Sequence, residues 1–274
     1  MTDVASVAAL YRYPVKSMLG EELAAFECDG DGVIGDREFA LLDAGDGRVA
    51  TAKQPRHWRA LLRCRSAGSG HSVRVTLPDG RTVPAGAAAG PLSELLGRQV
   101  VVSGARPDGA VVERPDPEDI LVRGLDAEID APLLEIAQGT GGGRFVDHSP
   151  VHLISTATLD ALGVDALRYR PNIVVATPPG TPAFVENDWL GRAVTIGGVR
   201  LVPTLPTPRC VVPTLEHGDI PRAPEALRGP AQRNRVAVEG FGVLPCAGCY
   251  ARIEVPGTVR RGDTVRIEPE VTAH

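Results

Sequence analysis

The sequence predicts a mainly β chain with short helices (α+β), organised as two β-rich domains over residues 1–115 and 116–274. Three observations predict it. The apolar and β-branched runs are short. Gly, Asp and Pro turn signals separate them at close intervals, the pattern of a barrel or sandwich. Helical patterning is confined to brief stretches bounded by polar caps and glycines.

In the first hundred residues the expected strands are Val4–Tyr13, Glu22–Cys28, Phe39–Asp43, Trp58–Ser66, Val73–Thr76, Arg81–Pro84 and Val100–Ser103. Turn signals at Asp29-Gly30-Asp31-Gly32, Gly45-Asp46-Gly47 and Pro78-Asp79-Gly80 punctuate them. The last, between VRVTL and RTVPA, predicts a hairpin. Pro91–Leu96 is expected to be a short helix stopped by Gly97. Gly104–Arg123 is rich in Pro, Asp and Gly and is read as linker, and Asp130–Ala137 as a turn of helix. The glycine cluster at Gly139–Gly143 lacks the Lys-Ser/Thr ending of a phosphate loop and is read as a flexible loop.

Val151–Ile154 is an expected strand, and Ser155-Thr156 cap a helix over ATLDALG. Ile173–Ala176, Ala193–Ile196 and Val199–Val202 follow, the last two joined by a tight turn at Gly197-Gly198. Arg235–Gly240, Tyr250–Val255 and Thr264–Glu268 complete the second unit.

Hydrophobic content of 43%, charged content of 23% and a net charge of −5 describe a soluble globular chain of 274 residues. There is no basic stripe to bind nucleic acid. The N-terminus MTDVASVAALYRYPVKS has no basic start and no long apolar run, and no stretch has membrane-span length. The expectation is a cytoplasmic protein without membrane association. Five cysteines do not make a disulfide framework. Only Lys16 and Lys53 are lysines; every other cation is arginine.

Cys210, in TPTPRCVVPTLEHGD, directly follows Arg209 and lies close to three prolines. A neighbouring guanidinium favours the thiolate, the form that binds soft metals and attacks electrophiles. Set against that is a small hydrophobe that happens to follow an arginine. Three further segments bear on the choice: YRYPVKSMLGEEL at 11–23, GDREFALLD at 35–43 followed by TAKQPR at 51–56, and RYRPNIVV at 168–175. With PRC at 208–210, and with GCYARIEVPGTVRRGDTVRI at 248–267, these resemble the MOSC-domain family. Within it, the match is to proteins that carry an N-terminal MOSC β-barrel domain ahead of a β-barrel-like MOSC domain. The mitochondrial amidoxime-reducing component is its best-known member.

The resemblance implies a molybdenum-pterin cofactor with Cys210 as both metal ligand and catalytic residue. It implies cofactor-binding roles for Lys16, Ser17, Arg37, Ser155, Arg170, Asn172, Arg209 and Cys210. A pyranopterin phosphate is anionic and polar, and cations, hydroxyls and backbone N–H groups suit it. Ser155 is also a natural N-cap, and the two roles are compatible. Asp147, in FVDHSP, is either a ligand or a turn residue. The implied activity is oxygen-atom transfer from an N-hydroxylated small molecule. An external donor protein of reductase, ferredoxin or cytochrome type would supply the electrons. The alternatives are a cofactor carrier without turnover and a persulfide carrier on Cys210.

Cys246-Ala-Gly-Cys249 is half a zinc site at most, with only His217, His148 or His152 as further ligands. It also lacks a thioredoxin setting, so small-residue packing around Tyr250 is expected. Relatives often carry a Thr-Thr-Val-Asp-like run near the segment that here reads Val212-Pro213-Thr214-Leu215-Glu216-His217, and His217 takes no assigned role.

Overall fold

A computed structural model describes residues 3–269. Its centre is a closed barrel of seven strands. In chain order these are β1 (Asp3–Arg12), β2 (Val151–Ser155), β3 (Ile173–Ala176), β4 (Val194–Ile196), β5 (Val199–Pro208), β6 (Gly242–Val255) and β7 (Thr264–Ile267). Around the barrel the order is β2-β3-β1-β7-β4-β5-β6, and β6 pairs back to β2 through Val151↔Ala251 and Leu153↔Cys249. Closure leaves no free edge. Only β2 and β3 run parallel, and the helix Thr156–Leu162 lies in the chain between them. Ser155 accepts from Thr158 N at its start, and Gly163 ends it in a left-handed conformation.

The interior of the barrel is apolar. Leu10, Leu153, Ile173, Trp189, Leu201 and Val265 are almost fully buried in one cluster. β1 comes from the start of the chain, so a single cut near residue 115 does not separate the barrel from what precedes it. Ala25–Asp29 adds a second tie by pairing with Gly257–Arg260.

The intervening chain forms smaller sheets over a second core that includes Met18, Leu41, Trp58, Leu61 and Leu92. Ala40–Asp43 pairs with Val100–Ser103, and Arg74–Thr76 with Thr82–Pro84 about the expected Pro-Asp-Gly turn. Three expectations are corrected. Trp58–Ser66 is mostly helical: an α-turn at Pro55–Trp58 runs into a 3₁₀ turn at Arg59–Arg63, and only Arg65–Ala67 is strand. Trp58, Leu61 and Leu62 bury one side at helical spacing, and Pro55 occupies the first helical position. The supposed linker holds a strand at Val111–Glu113 and a helix at Pro117–Arg123, capped by Asp116. The supposed helical turn near 130–137 is instead the strand Leu133–Glu135, paired with Val111–Glu113. Tertiary pairing overrides weak local pattern there. Among the described residues no helix is long and apolar enough to cross a membrane.

Candidate functional site

A pocket lies at the end of the barrel where β1 and β5 stop and β2 and β3 begin. Two loops from the N-terminal half close one side. They are zipped together by Lys16 N to Phe39 O at 2.8 Å, Arg37 N to Tyr13 O at 2.8 Å and Phe39 N to Pro14 O at 3.0 Å. Ser17, Arg37 and Arg170 all line the pocket with left-handed backbone, at φ 65°, 50° and 53°. Such conformations cost about 1–3 kcal/mol each and persist where surrounding structure imposes them. Here Ser17 Oγ accepts from Ala52 N at 3.1 Å, which ties its loop to the Thr51–Lys53 segment.

Two lysines face one carboxylate. Lys16 Nζ lies 2.5 Å from Asp147 Oδ1 and donates to Phe145 O at 3.1 Å, and Lys53 Nζ lies 3.0 Å from the same Oδ1. Lys16 is 5% exposed, and burial pushes its ammonium down to about 8 against the pull of Asp147. Burial also works against the Asp147 carboxylate, but Lys16 and Lys53 outweigh it and hold that carboxyl well below its usual range.

Beside them Arg37 and Arg170 share the Tyr13 ring, at 5.0 and 4.4 Å from its centroid. Arg37 pairs with buried Asp36, whose Oδ1 accepts from Tyr13 N at 2.8 Å. Arg170 donates to Met18 O at 2.6 Å. Burial, followed by the like charge of Arg37, pushes Arg170 down to about 10. The wall is thus strongly positive, and it is stable because each cation keeps a carboxylate, carbonyl or aromatic face.

Cys210 also lines the pocket, just past the end of β5. Among the described cysteines it alone is partly exposed; Cys28, Cys64, Cys246 and Cys249 are buried. Thr207 lines it too, and its Oγ1 is buried without a hydrogen-bond partner among the described residues. Arg209 is 7% exposed and directs its donors to protein acceptors around it. Arg168 likewise donates to the carbonyls of Pro213, Leu215 and Pro221.

Of the residues singled out in the sequence, the fold brings Lys16, Ser17, Arg37, Arg170, Arg209 and Cys210 to this pocket. It does not bring Ser155 or Asn172 there. Ser155 is fully buried as the helix cap, with its N–H on Glu186 at 2.6 Å. Asn172 is buried behind the pocket, where Oδ1 accepts from His152 N at 3.1 Å and Nδ2 donates to Tyr11 O at 3.3 Å. Lys53, Asp147, His148, His152 and Arg168 line the pocket without having been assigned to it. For Lys53 the scarcity of lysine was a usable signal; for the histidines no sequence signal distinguished them.

Cys246 and Cys249 lie in β6, fully buried. Burial pushes the Cys246 thiol up to about 11 and that of Cys249 well above its ordinary value. Among the described residues no three His, Cys, Asp or Glu side chains gather as a metal site.

The model for the MOSC N-terminal beta barrel domain matches residues 4–96, and that for the MOSC domain matches residues 141–266. Mitochondrial amidoxime-reducing component 1 of Mus musculus is 26% identical over 298 residues, covering 97% of this chain and 83% of that one. Its Homo sapiens counterpart is 26% identical over 303 residues with the same coverage. Mitochondrial amidoxime reducing component 2 of Rattus norvegicus is 34% identical over 131 residues, 44% of this chain and 37% of that one.

Proposed function

Because the chain belongs to the MOSC-domain family, with an N-terminal MOSC β-barrel domain ahead of its MOSC domain, we propose that its pocket holds a molybdenum-pterin cofactor and reduces N-hydroxylated small molecules. The observation that carries this reading is the convergence of one partly exposed thiol, Cys210, with four buried or half-buried cations, Lys16, Lys53, Arg37 and Arg170, that share the carboxylates of Asp147 and Asp36. The donor set fits the group. Lys16, Lys53, Arg37 and Arg170 suit a phosphate. Ser17 and the unpartnered Thr207 hydroxyl suit a polar heterocycle. A thiolate suits molybdenum as a soft ligand.

When bound, the cofactor supplies two-electron oxygen-atom transfer chemistry. The chain's own residues bind and orient it. Cys210 would ligate the metal, and Lys16, Lys53, Arg37 and Arg170 would hold its anionic end. The balance is one N–O bond broken, with two electrons and two protons consumed and one water released. The electrons come from an external donor protein of reductase, ferredoxin or cytochrome type. The identities of the relatives, named for amidoxime reduction, support the N-hydroxylated substrate class.

The test is elemental analysis of protein expressed with molybdate, followed by an amidoxime reduction assay with a generic donor, for wild type and Cys210→Ala. We expect bound molybdenum and turnover in wild type and loss of turnover in the variant. Bound metal without turnover under any donor identifies a carrier. Absence of metal with a persulfide on Cys210 identifies sulfur transfer.

A further inference from the structure

We infer that His152 and Arg209 are a positioning pair for Cys210, in which the neutral imidazole of His152 holds the Arg209 guanidinium and thereby fixes the loop that presents the thiol. The pair rests on geometry of the chain itself; only its consequence for metal retention rests on the proposed function.

β5 ends at Pro208, and Arg209 N makes one last bond across to Pro245 O at 2.8 Å. The next regular element is a 3₁₀ turn at Val212–Thr214. Between them, the side chain of Arg209 anchors the loop to three separate parts of the fold. Nη1 donates to Tyr169 O at 3.3 Å, ahead of β3. Nη2 bonds Ala247 O at 2.5 Å in β6 and His152 Nε2 at 2.7 Å in β2. Nε closes back on Thr207 O at 3.2 Å. The guanidinium also lies 4.9 Å from the centroid of the Tyr169 ring.

Among these acceptors His152 is the one side chain, so it is the element that sequence can vary. An arginine has no acceptor, so Nε2 must present its lone pair to Nη2, and the ring is neutral. Burial first, and then the Arg209 charge, hold His152 well below its ordinary value, which agrees with that requirement.

The ring is itself held. His152 is 4% exposed, sits edge-on to Tyr250 at 5.8 Å, and exchanges main-chain bonds with Asn172, at 3.1 Å to Oδ1 and 2.8 Å from Asn172 N. It occupies space that Gly248 leaves free. A Cβ there would lie 2.5 Å from Nε2. Asn172 thus acts two steps behind the thiol, through His152 and Arg209.

The test compares His152→Leu, which removes the acceptor, with His152→Gln, whose amide oxygen can replace it, and with Arg209→Lys, which keeps charge but loses the fork. In protein expressed without molybdate, two rates are read at one fixed pH: amide hydrogen exchange over residues 209–214, and iodoacetamide alkylation of Cys210 mapped by mass spectrometry. His152→Leu and Arg209→Lys should raise both by about tenfold, as expected on losing one charge-assisted hydrogen bond. His152→Gln should stay near wild type. Wild-type rates in His152→Leu, or rates in His152→Gln as high as in His152→Leu, overturn the pair. Molybdenum content of the same variants, grown with molybdate, is expected to follow the exchange rates. Should wild type retain no metal, the proposed function fails while the exchange result still decides the pair.

Discussion

Lys16 donates to Asp147 across 131 residues of sequence, from the loop after β1 to the segment that enters β2. The contact joins the N-terminal half to the barrel at the pocket wall. It also leaves a nearly buried ammonium, held by the Asp147 carboxylate and the Phe145 carbonyl. A descent from 10.5 to about 8 corresponds to a penalty of about 3 kcal/mol on the charged form.

Lys16→Met should therefore not lower the melting temperature of cofactor-free protein, since Lys53 still pairs with Asp147. Under the proposed function it should sharply reduce molybdenum retention, because a charge-assisted contact to an anion is worth about 1.5–3 kcal/mol. Melting curves and metal content, measured side by side, check this. Full metal content together with a lowered melting temperature would reverse the assignment.

Gly248→Ala should be among the most damaging single substitutions. The position has φ 74°, and a Cβ would meet Leu153 O at 2.4 Å as well as the His152 ring. Leu153 O belongs to the seam where β2 and β6 close the barrel, so the backbone cannot retreat without opening it. A loss of about 3 kcal/mol or more is expected in chemical denaturation. A loss below about 1 kcal/mol would show that the seam is pliable.

Stability should fall on mild acidification. Burial pushes His217 down to about 4 and His152 well below 6.5. The unfolded chain therefore binds protons near pH 6.5 that the folded chain refuses. The stability is fully present above pH 6.5 and declines as pH falls from there toward 4, by about 1.4 kcal/mol per pH unit for each group. His217 Nδ1 donates to Leu215 O at 3.0 Å and its Nε2 has no partner among the described residues. His217→Asn keeps a donor in that place and removes the titration, so its acid limb should be shallower in denaturant midpoints. An unchanged limb would mean that His217 does not carry the effect.

Cys246→Ala/Cys249→Ala should retain molybdenum and turnover while losing stability, by about 1–2 kcal/mol for each buried side chain removed. Both thiols are fully buried in β6, and burial keeps them protonated. Loss of turnover at unchanged metal content and stability would instead reveal a dithiol relay beside the pocket.

The β character, most barrel strands, the Pro-Asp-Gly hairpin and the cap at Ser155 were legible because they depend on alternation, turn residues and capping within a few positions. Trp58–Ser66 misled because its apolar density hid a helical spacing at Trp58, Leu61 and Leu62. The strand pair Val111–Glu113 and Leu133–Glu135 was invisible because each short segment is stabilised only by its partner.

The same division governs the site. Sequence by itself nominated the residues: Cys210 beside Arg209 and close to three prolines, two scarce lysines, and arginines in loops. Only the tertiary structure decided that Asn172 stands behind His152 instead of in the pocket, and that Arg209 bonds chain carbonyls. It alone joined Lys53 and Asp147 to Lys16. It alone placed Ser17, Arg37 and Arg170 in left-handed backbone. The physical reason is range. Propensity and periodicity act over a few residues, whereas barrel closure carries loops more than a hundred residues apart in sequence to one end. There, burial and mutual charge choose each side chain's partner.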